Sequence, residues 1–316
     1  MFKISRTNFE GREALSVSGV GVYSLRDTLE CGQCFRHELT DERDNYVEYL
    51  TVIKDKIVKV GQRSRGELIF FDTTEEEIKG FVGEYFSFYT DYGKIREDIL
   101  SRTDSDWLHR AAEAGGGIAI LKQDEWETLF SFIISQNNNI PRIRKIIRQI
   151  CAEYGVNLCL QNNISACPLS KIEGTPCDEK CKACGICYSF PKPTDVVDNP
   201  EKMLPSRPGF RYKYLHDAAI AVCDGRIDLS EIKKNARYEY TTEQLKKIKG
   251  VGDKVASCVA LFGFNNLEAF PIDVWMKRAI EQYFDGKLDS SSLGKYAGIA
   301  QQYIFHYIRN INESKD

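Results

Sequence analysis

TEQLKKIKGVGDKVASCVALFGFNNLEAFPID, residues 242–273, is the stretch that decides how this chain is read. Two short helical patterns flank Gly250-Val251-Gly252, Lys254 opens the second helix, and Asp273 follows 19 positions after that lysine. Glycines in such a turn let backbone N–H groups crowd together at a helix N-terminus, which is a phosphate-binding arrangement. An amine beside that turn, partly buried near a positive helix end, is placed to attack carbon as well as to pair with charge. The stretch therefore points to covalent chemistry on a nucleic-acid backbone.

Cys258 lies four residues beyond Lys254 on the same helix face. A small polarizable side chain there reads either as core or as the floor of a flat pocket. Asp273 sits in Phe270-Pro271-Ile272-Asp273-Val274-Trp275. Pro271 forces the preceding chain to be extended, and Asp273 can cap the helix that begins DVWMKRAI. A carboxylate held rigidly at a helix start can also stabilise positive charge developing on a sugar, or take a proton from a nucleophile. The two roles are compatible.

At 316 residues the chain is long enough for two domains with cores of their own. Hydrophobic content of 42% and charged content of 28% are ordinary for a soluble globular protein. No run of about 18 apolar residues exists, which excludes a helical membrane span. The start, MFKISRTNFEGREALSVSG, lacks the apolar centre of a secretory signal. Eleven cysteines in a chain read as not exported point to reduced thiols or metal ligation.

A net charge of −3 argues against a generic DNA-coating protein, so any nucleic-acid contact must come from local clusters. Residues 139–151 carry Arg142, Arg144, Lys145 and Arg148 with no acid, and 203–214 carry Arg207, Arg211 and Lys213. Residues 245–254 add Lys246, Lys247, Lys249 and Lys254 against Asp253. Beside a glycine-rich hairpin, these clusters together favour an anionic polymer.

About the first 75 residues read as β-structure. The runs 46–53, 56–60 and 67–71 are β-branched and aromatic with turn residues between them, and their close spacing suggests an antiparallel meander. The pattern becomes helical from Thr73. Asp124 and Glu127 have the spacing of a capping box ahead of a helix whose Trp126, Leu129, Phe130 and Ile133 share one face. That helix ends in Gln136-Asn137-Asn138-Asn139, with Pro141 following. The asparagines read either as a polar helix terminus or as a probe of base edges. The fold class is α+β: an antiparallel β-sheet domain over 1–93, then a helical domain over 94–316.

Residues 159–191 interrupt the helical domain as a polar, Cys-rich insertion. Cys177, Cys181, Cys184 and Cys187 fall within eleven residues, with Cys167 upstream. That spacing suits a four-thiolate zinc site, the first choice because so little apolar shell surrounds it, or iron–sulfur ligation. The role expected is structural.

The hairpin, Lys254 and Asp273 together resemble the helix-hairpin-helix DNA glycosylases with a Gly/Pro-Asp loop, and the fit is best to the 8-oxoguanine DNA glycosylases. CGQCFR, SFIISQNNNIPRI, PGFRYKY, GVGDKVASC, PIDVW and YAGIAQQYIF all look like blocks of that family, over about residues 25 to 309. A helix-hairpin-helix alone is common in non-catalytic DNA binders. Lysine and aspartate at this spacing, with the asparagine triplet and the Gln301/Phe305 pair, are far more specific.

The resemblance implies a sheet of the TATA-binding-protein type ahead of the catalytic helices, and a role for each matching position. Lys254 would attack C1′ of the damaged nucleotide, form a Schiff base and permit β-elimination, while Asp273 would stabilise the oxocarbenium-like transition state. Cys258 and Phe305 would sandwich the extruded base, and Gln301 would bond its Watson–Crick edge. Gly32 would present a carbonyl oxygen to the N7–H that 8-oxoguanine has and guanine lacks. Asn137 would fill the gap, Arg142 and Arg211 would grip the estranged cytosine, and Phe210 would wedge into the stack. Gly250, Val251 and Gly252 would hold a backbone phosphate. Trp275 stands where animal relatives carry a histidine, so no phosphate contact is transferred to it.

The expected partner is double-stranded DNA containing oxidised guanine, bound by a monomer with no membrane and no cofactor needed for catalysis. A cytoplasmic, nucleoid-associated setting follows if the source is prokaryotic. The competing readings are a helix-hairpin-helix glycosylase for another damaged base, and a non-catalytic DNA-binding protein. Lys254 speaks against the first, and the second leaves Lys254, Asp273, Gln301 and Phe305 unexplained.

Overall fold

The computed structural model of the chain describes residues 2–162, 164, 169 and 185–313. The three runs read as strands form β4 (Tyr46–Ile53), β5 (Lys56–Ser64) and β6 (Glu67–Phe71). The turn between β4 and β5 is Lys54-Asp55, with φ of 47° and 60°, the left-handed pair that two-residue hairpins require. β1 (Lys3–Phe9), β2 (Arg12–Ser18) and β3 (His37–Arg43) complete a six-stranded antiparallel sheet in the order β1-β2-β6-β5-β4-β3. The simple meander expected from the sequence therefore holds only from β3 to β6. The β1–β2 hairpin adds to the far edge through β2–β6 pairing, and the chain crosses between the edges by way of helix α1 (Leu25–Glu30). β1 and β3 lie at the edges and bury few side chains, so their sequences (KISRTNF and HELTDER) lack an apolar signal.

Beyond the sheet, Thr74 caps α2 (Glu75–Glu77) with a complete capping box to Glu77. A π-helical turn (Ile78–Val82) then leads to α3 (Gly83–Tyr85). The helices that follow are α4 (Tyr92–Leu100), α5 (Asp106–Ala114), α6 (Glu125–Ile134), α7 (Ile140–Tyr154), α8 (Leu158–Gln161) and α9 (Pro193–Asp198). After a 3-10 turn come α10 (Arg211–Cys223), α11 (Leu229–Asn235), α12 (Tyr238–Leu245), α13 (Asp253–Phe262), α14 (Val274–Tyr283) and α15 (Ala297–Glu313).

Asp124 does cap α6, accepting from the Glu127 amide at 2.8 Å. The reciprocal half of the box is replaced, because the Glu127 carboxylate instead pairs with buried Arg36 at 2.8 Å. Every α6 residue from Thr128 to Ile134 is buried, Thr128 and Ser131 included, so the helix is enclosed on all sides and not on one face.

Two cores result, and each borrows from the other half of the chain. Leu25 and Leu29 of α1 pack on the sheet with Val58, Val60, Leu68 and Phe70, and Ala119 and Leu121 join them from the helical part. In exchange Cys31 and Phe35, just after α1, pack into the helical core with Phe132 and Cys258. The segments 31–35 and 119–121 thus lace the sheet to the helices.

The expected metal ligands Cys177, Cys181 and Cys184, with Cys167, lie outside the described residues. Cys187 is described and is fully buried beside Cys159, Ile186 and Leu50. Among the described residues no group of three His, Cys, Asp or Glu is arranged to hold a metal ion. Among them, too, no helix is long and apolar enough to cross a membrane.

Candidate active site

The hairpin between α12 and α13 is anchored from below by Val251, which is 6% exposed, and its N–H donates to the Ile248 carbonyl at 3.0 Å. The two glycines act differently. Gly250 has φ of 87° and lies so close on the Tyr214 ring that an added β-carbon would fall 2.4 Å from it. Gly252, at φ −96°, is the extended N-cap of α13, and a β-carbon there would meet nothing within 4 Å. No side chain caps α13. The first amides of that helix, which have no acceptor within the helix, therefore face outward beneath an open approach.

Lys254 occupies the first turn of α13 and is half-buried. Its Nζ donates to the Ser135 hydroxyl at 3.3 Å and stands 5.4 Å above the Phe132 ring centre. Phe132 is itself stacked on Phe262 at 5.4 Å and meets Phe35 edge-on at 5.6 Å. An aromatic floor thus runs from beneath the lysine toward the loop that holds Gly32.

Asp273 is the N-cap of α14 and accepts from the Met276 amide at 2.9 Å, the capping role read from the sequence. The buried Cys258 thiol lies within electrostatic reach of both charged groups. Burial pushes its pKa up, the Lys254 ammonium opposes the shift, and the Asp273 carboxylate adds to it. Amine, thiol and carboxylate therefore share one neighbourhood.

Gly32 comes to this neighbourhood from the other half of the chain. Its φ is 84°, and a β-carbon there would lie 3.3 Å from Ile140 Cδ1 and 3.7 Å from Phe305 Cε1. The next residue, Gln33, fixes the loop from within: its amide donates to the Thr28 and Ala119 carbonyls, both at 2.8 Å. Its side-chain oxygen accepts from the Leu121 amide at 2.8 Å, and its main-chain carbonyl accepts from Gln123 at 2.7 Å. On α15, Gln301 is 3% exposed, and its oxygen accepts from Gln302 at 2.7 Å. Phe305 is one turn on, and Arg309 stands over its ring at 5.6 Å.

The asparagine triplet forms a fixed turn. Asn137 is exposed with φ of 46°, Asn138 donates to the Ile134 carbonyl at 3.1 Å, and Asn139 caps α7 through the Arg142 amide at 2.9 Å. Arg142 is exposed, and Phe210 at the head of α10 is 52% exposed.

Arg211 is placed differently from the expectation of a base contact. It is 4% exposed and donates to the Gln136 carbonyl at 2.8 Å, the Asn137 carbonyl at 2.9 Å and the Pro208 carbonyl at 3.2 Å. The basic cluster on α7 is likewise half internal, since Arg144 and Arg148 both pair with Glu38 and donate to the His37 carbonyl. Lys246 pairs with Asp253 at 3.0 Å. Composition counts such cations as free because it cannot see a carboxylate brought from another element. Ser135, Phe132, Ile140 and Gln33 escaped the sequence reading for the same reason: each acts through a neighbour distant in the chain.

Solved structures match the fold along nearly its whole length. A structure of MBOgg1 with a low-affinity DNA ligand has a TM-score of 0.80 and 32% identity, covering 99% of both chains. The Clostridium acetobutylicum 8-oxoguanine glycosylase/lyase, solved with double-stranded DNA containing cytosine opposite 8-oxoguanine, gives a TM-score of 0.79 at 31% identity over 98% of both. The chain belongs to the 8-oxoguanine DNA glycosylase/lyase family.

Residues 18–129 match the family model described as the 8-oxoguanine DNA glycosylase N-terminal domain. They take in most of the glycosylase sheet and run into α6. The Saccharomyces cerevisiae N-glycosylase/DNA lyase is 30% identical over 278 residues, a match that takes in 80% of this glycosylase chain and 66% of the yeast protein.

Proposed function

We propose that the chain removes 8-oxoguanine paired with cytosine from duplex DNA and then cleaves the strand at the resulting abasic site. The observation that carries this is Lys254: an amine in the first turn of a glycine-capped helix, hydrogen-bonded at 3.3 Å to the residue that ends α6 just before the asparagine turn.

The outward amides of Gly252 and α13 hold a backbone phosphate next to the lesion. Asn137, exposed at the tip of its turn, fills the space that the extruded base leaves, and Phe210 enters the stack beside it. Arg142 grips the estranged cytosine at its acceptor O2 and N3 atoms. Arg211 acts from beneath, keeping the Gln136 and Asn137 backbone in place. The extruded base lies between Cys258 and Phe305, with its edge on Gln301 and its N7–H on the Gly32 carbonyl.

Lys254 first gives up its ammonium proton to solvent, and the free amine attacks C1′ as the bond from C1′ to the base breaks; the base leaves with the bonding pair and takes up a proton from solvent. Asp273 stabilises the positive charge on the sugar during that exchange. Ring opening gives a Schiff base on Lys254, loss of a C2′ proton expels the 3′ phosphate by β-elimination, and water releases the lysine. The protein supplies every reacting group itself, so catalysis calls for no cofactor. The setting is the DNA compartment, the nucleoid in a prokaryotic source, and the chain works as a monomer.

Borohydride trapping on a duplex carrying 8-oxoguanine opposite cytosine tests the mechanism. A covalent adduct is expected from the wild type and none from Lys254→Gln; an adduct that survives the substitution overturns it. Repeating the assay with guanine tests Gly32. We keep zinc, or less favourably an iron–sulfur group, at Cys177, Cys181, Cys184 and Cys187 as a structural proposal only, tested by metal analysis before and after Cys184→Ser.

A further inference from the structure

Two segments of the site are each held from behind by buried polar side chains. Arg211 holds the carbonyls of Gln136 and Asn137, and Gln33 ties the Gly32 loop to Thr28, Ala119 and Leu121. Between them stands the side chain of Ile140, the first residue of α7. A β-carbon on Gly32 would stand 3.3 Å from Ile140 Cδ1, a tight approach, and 3.7 Å from the Phe305 ring, an ordinary contact, so the Ile140 side chain and the ring flank the loop closely. Ile140 follows the cap residue Asn139 directly and is half-buried. In a helix, a β-branched side chain has essentially one χ1 rotamer, so it transmits the position of its backbone instead of yielding.

We propose that Ile140 is a positioning residue for lesion choice. It bears on Gly32 and fixes where that residue's carbonyl stands relative to the Phe305 ring, so that seating the asparagine turn in DNA and reading the extruded base become one mechanical event. The inference rests on the reading of Gly32 as the discriminating contact. With alanine at 140, the loop gains room to shift toward α7, and its carbonyl no longer lines up with the N7–H of a base lying on Phe305. Strand cleavage at a site that already lacks its base needs Lys254 but no base reading, so it is indifferent to this alignment.

The test uses the full chain as Ile140→Ala and Ile140→Leu. The substrates are duplexes bearing 8-oxoguanine opposite cytosine, guanine at the same place, and a preformed abasic site. Ile140→Ala is expected to slow single-turnover excision about tenfold or more, with KM little changed and the preference for 8-oxoguanine over guanine narrowed. Cleavage of the abasic duplex stays at the wild-type rate. Ile140→Leu keeps a δ-carbon that can reach Gly32 and returns excision to near wild type. Equal losses on the excision and abasic substrates, unaltered excision, or a leucine variant no better than alanine each overturn the proposal. Absence of a borohydride adduct with the wild-type chain would instead sink the site reading itself.

Discussion

The Lys254 ammonium donates to the Ser135 hydroxyl at 3.3 Å, and so joins the first turn of α13 to the end of α6. Ser135 in turn donates to the Phe132 carbonyl at 2.8 Å, which leaves the hydroxyl oxygen turned toward the amine. The contact sets the direction in which the lysine points before any substrate arrives.

Removing that guide is the mildest probe of the site. Ser135→Ala should fold normally and still give an adduct, more slowly. One hydrogen bond that orders a charged group contributes about 1 kcal/mol here, roughly a fivefold loss in the rate of imine formation. Single-turnover trapping measures it; a rate equal to wild type would show that the serine does not orient the amine.

The hairpin glycines should part company under the same substitution. Gly250→Ala forces a left-handed backbone, costing roughly 1–2 kcal/mol, and drives a methyl into the Tyr214 ring, so its Tm should fall clearly. Gly252→Ala meets open space and an ordinary φ, so its Tm should hold while its affinity for DNA drops, because the methyl stands in the phosphate's approach. Melting curves and a DNA titration on both variants decide it, and equal effects would refute the distinction.

Arg36 is 5% exposed on its side chain, pairs with Glu127 at 2.8 Å and also donates to the Tyr188 carbonyl. Burial pushes the Glu127 carboxyl pKa up and Arg36 opposes that shift, so loss of the cation leaves a partly buried acid without its partner. Arg36→Ala should cost about 3–5 kcal/mol in urea unfolding. Arg36→Met combined with Glu127→Gln should recover most of it.

His37 is 2% exposed, and its pKa is held down to about 3 from an ordinary 6.5, by burial first and then by Arg144 and Arg148. The folded chain refuses a proton that the unfolded chain accepts. Its contribution is therefore whole above pH 6.5 and is lost as the pH falls from there toward about 3, at roughly 1.4 kcal/mol per pH unit. His37→Gln should flatten the stability profile between pH 6.5 and 5 relative to wild type; parallel profiles would count against it.

Much of this was legible in the sequence where the deciding forces are local. β4, β5 and β6 declare themselves by β-branched runs, and Asp124 and Asp273 cap the helices they precede. Lys254 and the hairpin could be named because glycine geometry and helix ends act within a few residues. The edge strands β1 and β3 were not legible, since edge strands bury too little to need an apolar pattern. Nor was the use of Glu127, which the sequence gives to a capping box and the fold gives to Arg36. Arg144, Arg148 and Arg211 looked free for DNA, yet Arg144 and Arg148 are each tied to Glu38, and Arg211 is held on the Gln136 and Asn137 carbonyls. Only the fold could show that Gly32 meets Ile140 and Phe305.

The polar knot at Gln33 has a consequence for safety. Its partners lie on both sides of the sheet–helix junction, at Thr28 and at Ala119 and Leu121. A nascent or damaged chain that has formed its helices without its sheet could already carry a reactive lysine, yet it would have no ordered carbonyl with which to choose a base. On the proposed reading of Gly32, such a molecule could act where a base is already lost but could not tell 8-oxoguanine from guanine, so lesion choice waits until both halves of the chain are folded together.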